Sequence, residues 1–412
     1  MSDTIEIKKW TIMVYMAGDN NLDANGLEDL KEMKEVGSSG QVNVLVQFDR
    51  AGAGLPTKRY FVKKGNRPDD DIVQSLPETN TGEPTFLLDF VKWGIASYPA
   101  NRYMLILWNH GSGWDDTDVY ARLGVRNGRL YRPGRIRNAF FKSSVRKAAE
   151  FSARNPHLAR AIAFDDDAKD FLDSLEMKKV LADIRKLLGR KLDILGMDAC
   201  LMSMAEIAYQ IRESVGFMVG SEETEPVDGW PYHSIIEILT STPELSPRDL
   251  SKTIVSTYIE SYKGSGEDVT QSAGDVSVAL RVAVAVKKLA EALTTGLGDT
   301  RTRNLMAGIR NQVQEYYIPE NIDLVDYCTL LKGSGVGSEI KTACDGVINA
   351  VKKTKGFIVS SGYLGSSMKR SNGLAIYFPT RNISELYAKL EFAKKTRWGD
   401  FLKAYIKATR AR

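Results

Sequence analysis

Short apolar runs that stop abruptly at polar residues recur along the first half of the chain. "WTIMVYMAGDNN" runs into Asp19 and Asn20, "VNVLVQFDR" ends at Asp49, and "YMLILWNHG" ends at His110. "KLDILGMDAC" closes on Asp198 and Cys200, and "GFMVGSEE" on Glu222 and Glu223. Continuous β-branched and aliphatic runs of this length predict strands buried on both faces. Between them, "LDANGLEDLKEMKEV", "PTFLLDFVKWGIASY" and "SLEMKKVLADIRKLL" carry helical spacing. That alternation predicts an α/β fold around a largely parallel sheet. Ligands of such sheets collect outside the carboxyl ends of the strands. His110 and Cys200 would share that rim although ninety residues separate them.

The pattern changes near Ser246. "SPRDLSKTIVSTYIESY" reads as an amphipathic helix after a proline-containing turn, which sets an expected boundary between residues 1–245 and a C-terminal subdomain, 246–412, packed on them. Within it, "AGDVSVALRVAVAVKKLAEAL" predicts a strand turning into a helix, and "DLVDYCTLLK" a further helix. "GFIVSSGYLGSSMKRSNGLAIYFP" predicts two strands joined by a Gly/Ser-rich loop.

Composition narrows the class. The 412 residues are 43% hydrophobic and 26% charged, the balance of a globular protein, and no apolar run is long enough for a membrane-spanning helix. "MSDTIEIKKW" lacks the basic and apolar regions of a secretory signal. The compartment is therefore unknown, cytoplasmic by default, and a trimmed secreted form is equally compatible. The net charge of +4 is too small to imply nucleic acid, but its distribution is uneven: Ala121 to Arg160 holds eleven Lys or Arg and one acidic residue, Glu150. Such a block reads as a solvated surface or as a specific basic segment. Three cysteines, Cys200, Cys328 and Cys344, with no C-x-x-C pair, point neither to a disulfide framework nor to a zinc site. Cys328 and Cys344 read as small buried hydrophobes.

Cys200 has different surroundings. A cysteine attacks carbonyl carbon as the thiolate, which is scarce at neutral pH with a free pKa of about 8.5. The following "LMSMAEIAYQIRES" reads as a helix, so Cys200 is expected near a helix N-terminus whose dipole favours negative charge. His110 is the best-placed base. Gly111, without a side chain, could bring its N–H close to a tetrahedral oxyanion together with that of Cys200. A strand-end His-Gly is also a common turn, and a Cys before a helix a common core residue, so spacing alone leaves both readings open. Of the other histidines, His157 lies in the basic stretch and His233, in "GWPYHS", is the weaker rival base.

"TIMVYMAGDNNLD", "LILWNHGSGW", "LDILGMDACLMSMAEIAYQI", "GWPY" and "SNGLAIYFP" together resemble the clostripain-like cysteine peptidases, relatives of caspases, legumain and gingipains. The resemblance runs in order from about Trp10 to Pro379. It implies a caspase-like α/β/α core, whose sheet the last strand pair would rejoin, and endopeptidase activity with Arg or Lys at P1, the residue before the scissile bond. His110 matches the family histidine and Cys200 the nucleophile. Asp198 matches the acidic residue associated with the basic-residue pocket, with Asp228 in "EPVDGWPY" a second candidate. Asp198 as a helix cap is the structural alternative.

The interval from 115 to 163 is longer and more basic than in compact family members. Relatives are often activated by self-cleavage between the histidine and the cysteine. "RLGVRNGRLYRPGRIRNAFFKSSVRK" offers Arg126, Arg129, Arg132, Arg135, Arg137, Arg146 and Lys147 as cleavage residues, in a segment expected to cover an acidic pocket in the precursor. Within it "GRLYRPGRIR" has one aromatic among its arginines, little support for nucleic-acid stacking. The chemistry requires no cofactor. Acidic clusters at 69–71 and 164–170 leave calcium open, although neither follows the EF-hand loop. Expected partners are protein or peptide substrates with a basic P1 residue. Two other readings keep the same fold: a catalytically silent peptide-binding relative, and a transpeptidase in which an amine resolves the acyl-enzyme.

Overall fold

The computed structural model describes residues 7–20, 22–52, 54–111, 162–165, 170–172 and 174–410. The basic stretch, every proposed cleavage residue and His157 lie outside the described residues.

The first half alternates as its hydrophobic pattern predicts. β1 (Lys8–Gly18), α1 (Asp23–Val36), β2 (Val42–Arg50), β3 (Lys58–Phe61) and β4 (Ile72–Ser75) are followed by α2 (Pro84–Ser97) and β5 (Ala100–Trp108). A short pair, β6 (Ile162–Asp165) and β7 (Asp170–Leu172), precedes α3 (Ser174–Leu188), β8 (Leu192–Asp198), α4 (Ala205–Ile211), β9 (Val215–Gly220) and α5 (Tyr232–Ser241). The remainder comprises α6 (Pro247–Ser261), β10 (Val269–Asp275), α7 (Ala279–Gly296), α8 (Thr300–Arg310), β11 (Asn321–Asp323), α9 (Leu324–Gly333), α10 (Ser338–Lys352), β12 (Ile358–Leu364), β13 (Ala375–Tyr377), α11 (Glu391–Thr396) and α12 (Trp398–Arg410).

Nine strands form one sheet in the order β12-β10-β9-β8-β5-β1-β2-β3-β4. The five central strands, β9 to β2, are parallel, and the outer ones are antiparallel. Residues two apart on a strand share a face, so the run in β1 splits cleanly. Met13, Tyr15 and Ala17 join the core beneath α2, α3 and α7, whereas Trp10, Ile12, Val14 and Met16 join the core beneath α1, α5 and α6. This is the α/β/α sandwich expected for a strand run that is apolar on both faces. The serine of "SPRDL" caps α6, its Oγ accepting from Asp249 N–H at 3.1 Å.

Residues after 246 extend the same sheet, because β10 pairs with β9 and β12 with β10. Only one member of the expected C-terminal strand pair rejoins it. β13 instead pairs with β11 in a separate two-stranded ribbon, held to the loop after β8 by the Ala375 N–H donating to Ser203 O at 2.9 Å. Cys328 and Cys344 are both fully buried in helices, as hydrophobes would be.

Candidate active site

β5 and β8 are parallel neighbours whose last paired residues are Trp108 and Asp198. Both chains turn at the same level. The Asn109 N–H donates to Asp198 O at 3.3 Å, and Asn109 Nδ2 anchors to the Ala17 carbonyl at the end of β1. After Cys200 the chain passes through Leu201 in the left-handed region, at φ 64°. It is then tied to the end of β9 by Leu201 N–H to Glu223 O at 3.1 Å and Ser203 N–H to Ser221 O at 2.8 Å. These two turns bring the His-Gly and the Cys together. A Cβ on Gly111 would overlap the Cys200 carbonyl oxygen and lie 2.9 Å from Ala199 Cβ and 3.0 Å from Cys200 N. Only glycine permits that approach, so His110, Gly111, Asp198 and Cys200 share one strand-end rim.

The helix expected directly after Cys200 begins later. Residues 201–204 form the turn just described and α4 starts at Ala205, so the helix does not begin at Cys200. Burial instead pushes the Cys200 thiol up to about 12. The Glu225 N–H, donating to Sγ at 3.3 Å, opposes this, and the carboxyl groups of Glu225, Glu223 and Asp198 add to it. His110 keeps some surface open to solvent, and burial of its ring lowers the imidazole to about 4. Burial thus favours the neutral form of both the thiol and the imidazole. The rival histidine, His233, lies on α5 with Nδ1 3.6 Å from Glu32 and Nε2 2.9 Å from Ser234 Oγ.

Asp198 caps no helix. It points from β8 under α5, and its Oδ2 accepts from the Tyr232 hydroxyl at 2.7 Å and the Trp230 N–H at 3.4 Å. Burial raises its carboxyl above the ordinary range, while hydrogen bonds with Glu225 and Tyr232 work the other way. Around it lie acidic residues that the sequence pattern did not single out. Asp29 on α1 accepts from Trp108 Nε1 at 2.6 Å, and burial together with the Asp198 charge raises it to about 9. Glu225, in the loop after β9, is raised by burial and by Asp198. Asp228 is exposed at the edge of this group. Asp29 did leave a trace in the sequence: it lies on the stripe Gly26, Leu30, Met33 that α1 buries. Glu225, in "SEETEP", left none, because a loop carries no periodicity.

The family model of the clostripain family matches residues 14–125 and 149–405. The chain belongs to the clostripain family. Clostripain of Hathewaya histolytica is 30% identical over 232 residues, which is 51% of this chain but only 37% of clostripain's length. A secreted C11 cysteine protease from Bacteroides thetaiotaomicron, solved in complex with an irreversible peptide inhibitor, superposes with a TM-score of 0.64 at 19% identity, covering 95% of this chain and 99% of that one. An inactive zymogen C11 protease from Parabacteroides distasonis gives a TM-score of 0.62 at 19% identity over the same shares. These likenesses establish the caspase-like fold. The interval between the two family-matched stretches, 126–148, contains all seven basic residues considered for self-cleavage.

The acidic triplet at 69–71 is engaged with cations: Asp69 with Lys58 at 3.4 Å, Asp70 with Arg67 at 3.7 Å, and Asp71 with the buried Lys34. Among the described residues no group of three or more His, Cys, Asp and Glu is arranged to hold a metal, and no helix is long and apolar enough to cross a membrane.

Proposed function

We propose that this family member is a cysteine endopeptidase that cleaves after Arg or Lys through Cys200 and His110. One observation carries the specificity: buried carboxyl groups gather beside Cys200, around Asp198, and none has an ion-pair partner among the described residues. A guanidinium or ammonium supplies the missing charge and can donate charge-assisted hydrogen bonds to Asp198. Asp228, exposed at the edge, acts on the cation as it enters.

Cys200 Sγ attacks the carbonyl carbon, and the sulfur's proton passes to His110, which delivers it to the departing amine. Water then resolves the acyl-enzyme. The N–H groups of Gly111 and Cys200 hold the oxyanion, a role supported by how closely their backbones approach. The protonated, buried thiol fits a precursor, as does the inactive-zymogen description of one fold relative. Activation is by self-cleavage after a basic residue within 126–148. Calcium could enter at this step, and dialysis against chelator before activation tests it.

The test is intact-mass analysis of wild type beside Cys200→Ala, with peptides differing only at P1. Splitting within 126–148 and cleavage of Arg and Lys peptides by wild type alone is expected. Equal cleavage of a norleucine peptide refutes the basic-pocket reading. If both proteins stay intact and inert, the silent peptide-binding relative takes its place. Ligation to an added amine in place of hydrolysis identifies a transpeptidase.

A further inference from the structure

The pocket beside Cys200 holds more carboxyl groups than one cation can neutralise, and they sit close together. A Cβ on Gly229, which is left-handed at φ 58°, would lie 3.3 and 3.4 Å from the two Asp198 oxygens and 3.6 Å from Asp29 Oδ2. Asp29 and Asp198, 4% and 5% exposed, thus close on the same point from α1 and β8. Glu225 joins them from the third side. Its Oε1 accepts from Gln271 Nε2 at 3.2 Å, its carboxyl group meets that of Asp198 in a hydrogen bond, and its Oε2 is shut off from solvent. The buried Tyr258 hydroxyl has no hydrogen-bond partner among the described residues. No Lys or Arg among the described residues pairs with any of the three carboxyl groups. Carboxyl groups this close in a desolvated site cannot all be ionised while no cation is present.

We propose that Asp29 is a further specificity-determining carboxylate of the P1 pocket, and that the pocket releases protons to solvent as a P1 cation enters. The inference rests on the basic-P1 reading above. The exchange balances: a carboxylic acid loses H⁺ to water, and the carboxylate left behind pairs with the guanidinium or ammonium, so no bond of the substrate changes. Other titratable groups face the same space. α1 contributes Glu32, which accepts from the Tyr232 N–H at 3.1 Å and faces His233. Asp228 lies at the edge, Tyr232 and Tyr262 come from α5 and α6, and the Cys200 thiol lies on the far side of Glu225. His233 is the one member of this set whose side chain can carry a positive charge, so it is the group to control.

The experiment uses the Cys200→Ala chain nicked within 126–148 by an added trypsin-like protease, which opens the pocket but cannot cut the peptide, and calorimetry near neutral pH in two buffers of different ionisation enthalpy. An Arg-P1 peptide is expected to release about one proton on binding, and a norleucine-P1 peptide none. Adding Asp29→Asn should cut the release by half or more and weaken Arg binding by at least about tenfold. Adding His233→Gln should leave the release intact. Should Asp29→Asn fail to fold, active wild type still decides: KM for the Arg peptide should fall as pH rises through neutrality while KM for norleucine stays level. Selective Arg binding without proton release, a level KM, or release unchanged by Asp29→Asn overturns this inference alone. Equal binding of Arg and norleucine peptides overturns the basic-P1 reading beneath it.

Discussion

Replacing Gly111 by alanine tests whether the contact between the two strand-end turns organises catalysis. The added methyl would overlap the Cys200 carbonyl oxygen and meet Ala199 Cβ at 2.9 Å and Cys200 N at 3.0 Å. Ordinary carbon contacts begin near 3.5 Å, so the two turns must separate by something on the order of 1 Å. Backbone meets backbone there, and no flexible side chain can swing aside. A misplacement of about 1 Å costs roughly 10²-fold in rate. That corresponds to about 2.7 kcal/mol on the barrier. The overpacking itself should destabilise the fold by about 1–3 kcal/mol. The assay compares kcat/KM on an Arg peptide with the thermal midpoint, for Gly111→Ala and for Gly40→Ala, whose Cβ meets nothing within 4 Å. Gly40→Ala should match wild type in both. If Gly111→Ala keeps activity within about twofold at an unchanged midpoint, the turns do not position the chemistry and the oxyanion assignment falls with them.

Three other outcomes follow from burial. With the thiol near 12, only about one Cys200 in 10⁵ is thiolate at pH 7, so alkylation of the uncleaved chain by iodoacetamide should be slow and climb steadily into alkali; a plateau around neutral pH would mean that the thiol is already ionised by His110. Glu206 and Glu222 are held at about 7 and about 8 by burial, against an ordinary value of about 4.3, so the native state keeps protons that the unfolded chain has lost. Stability should therefore decline as pH rises from the ordinary carboxylate range towards 8, and Glu222→Gln should flatten part of that slope; a melting temperature that rises over this range contradicts the assignment. Trp108→Phe removes the Nε1 donor from buried Asp29 and should cost about 1–3 kcal/mol in urea unfolding, while an unchanged midpoint would show the bond to be dispensable.

The alternation of double-faced apolar runs with amphipathic segments was enough to specify an α/β fold around a largely parallel sheet, because periodicity records which faces a strand or helix buries; the α/β/α layering was implied by the resemblance. The strand ends marked the rim in the same way: each run stops where its chain leaves the core, so His110 and Cys200 were legible as neighbours in the sheet. Asp198 and Asp228 were reached through the resemblance; Asp198 is buried beneath α5 and Asp228 is exposed.

Other features depended on contacts that no local pattern encodes. "LMSMAEIAYQI" has helical spacing throughout, yet its first four residues form a turn, because tying Leu201 and Ser203 to the end of β9 and Met204 to Ala375 outweighs one more turn of helix. β13 pairs with β11 because the ribbon partner is supplied some fifty residues earlier in the chain. Asp29 shares the buried stripe of α1, but only the packing of α1 over Trp108 and Asp198 brings its carboxyl group to them. The protonation of Cys200 was misjudged for the same reason. Sequence suggested a helix dipole acting on the sulfur, whereas burial is the largest influence on its thiol and works the other way. Desolvation depends on which distant segments exclude water from one point, and only the tertiary structure brings those segments together.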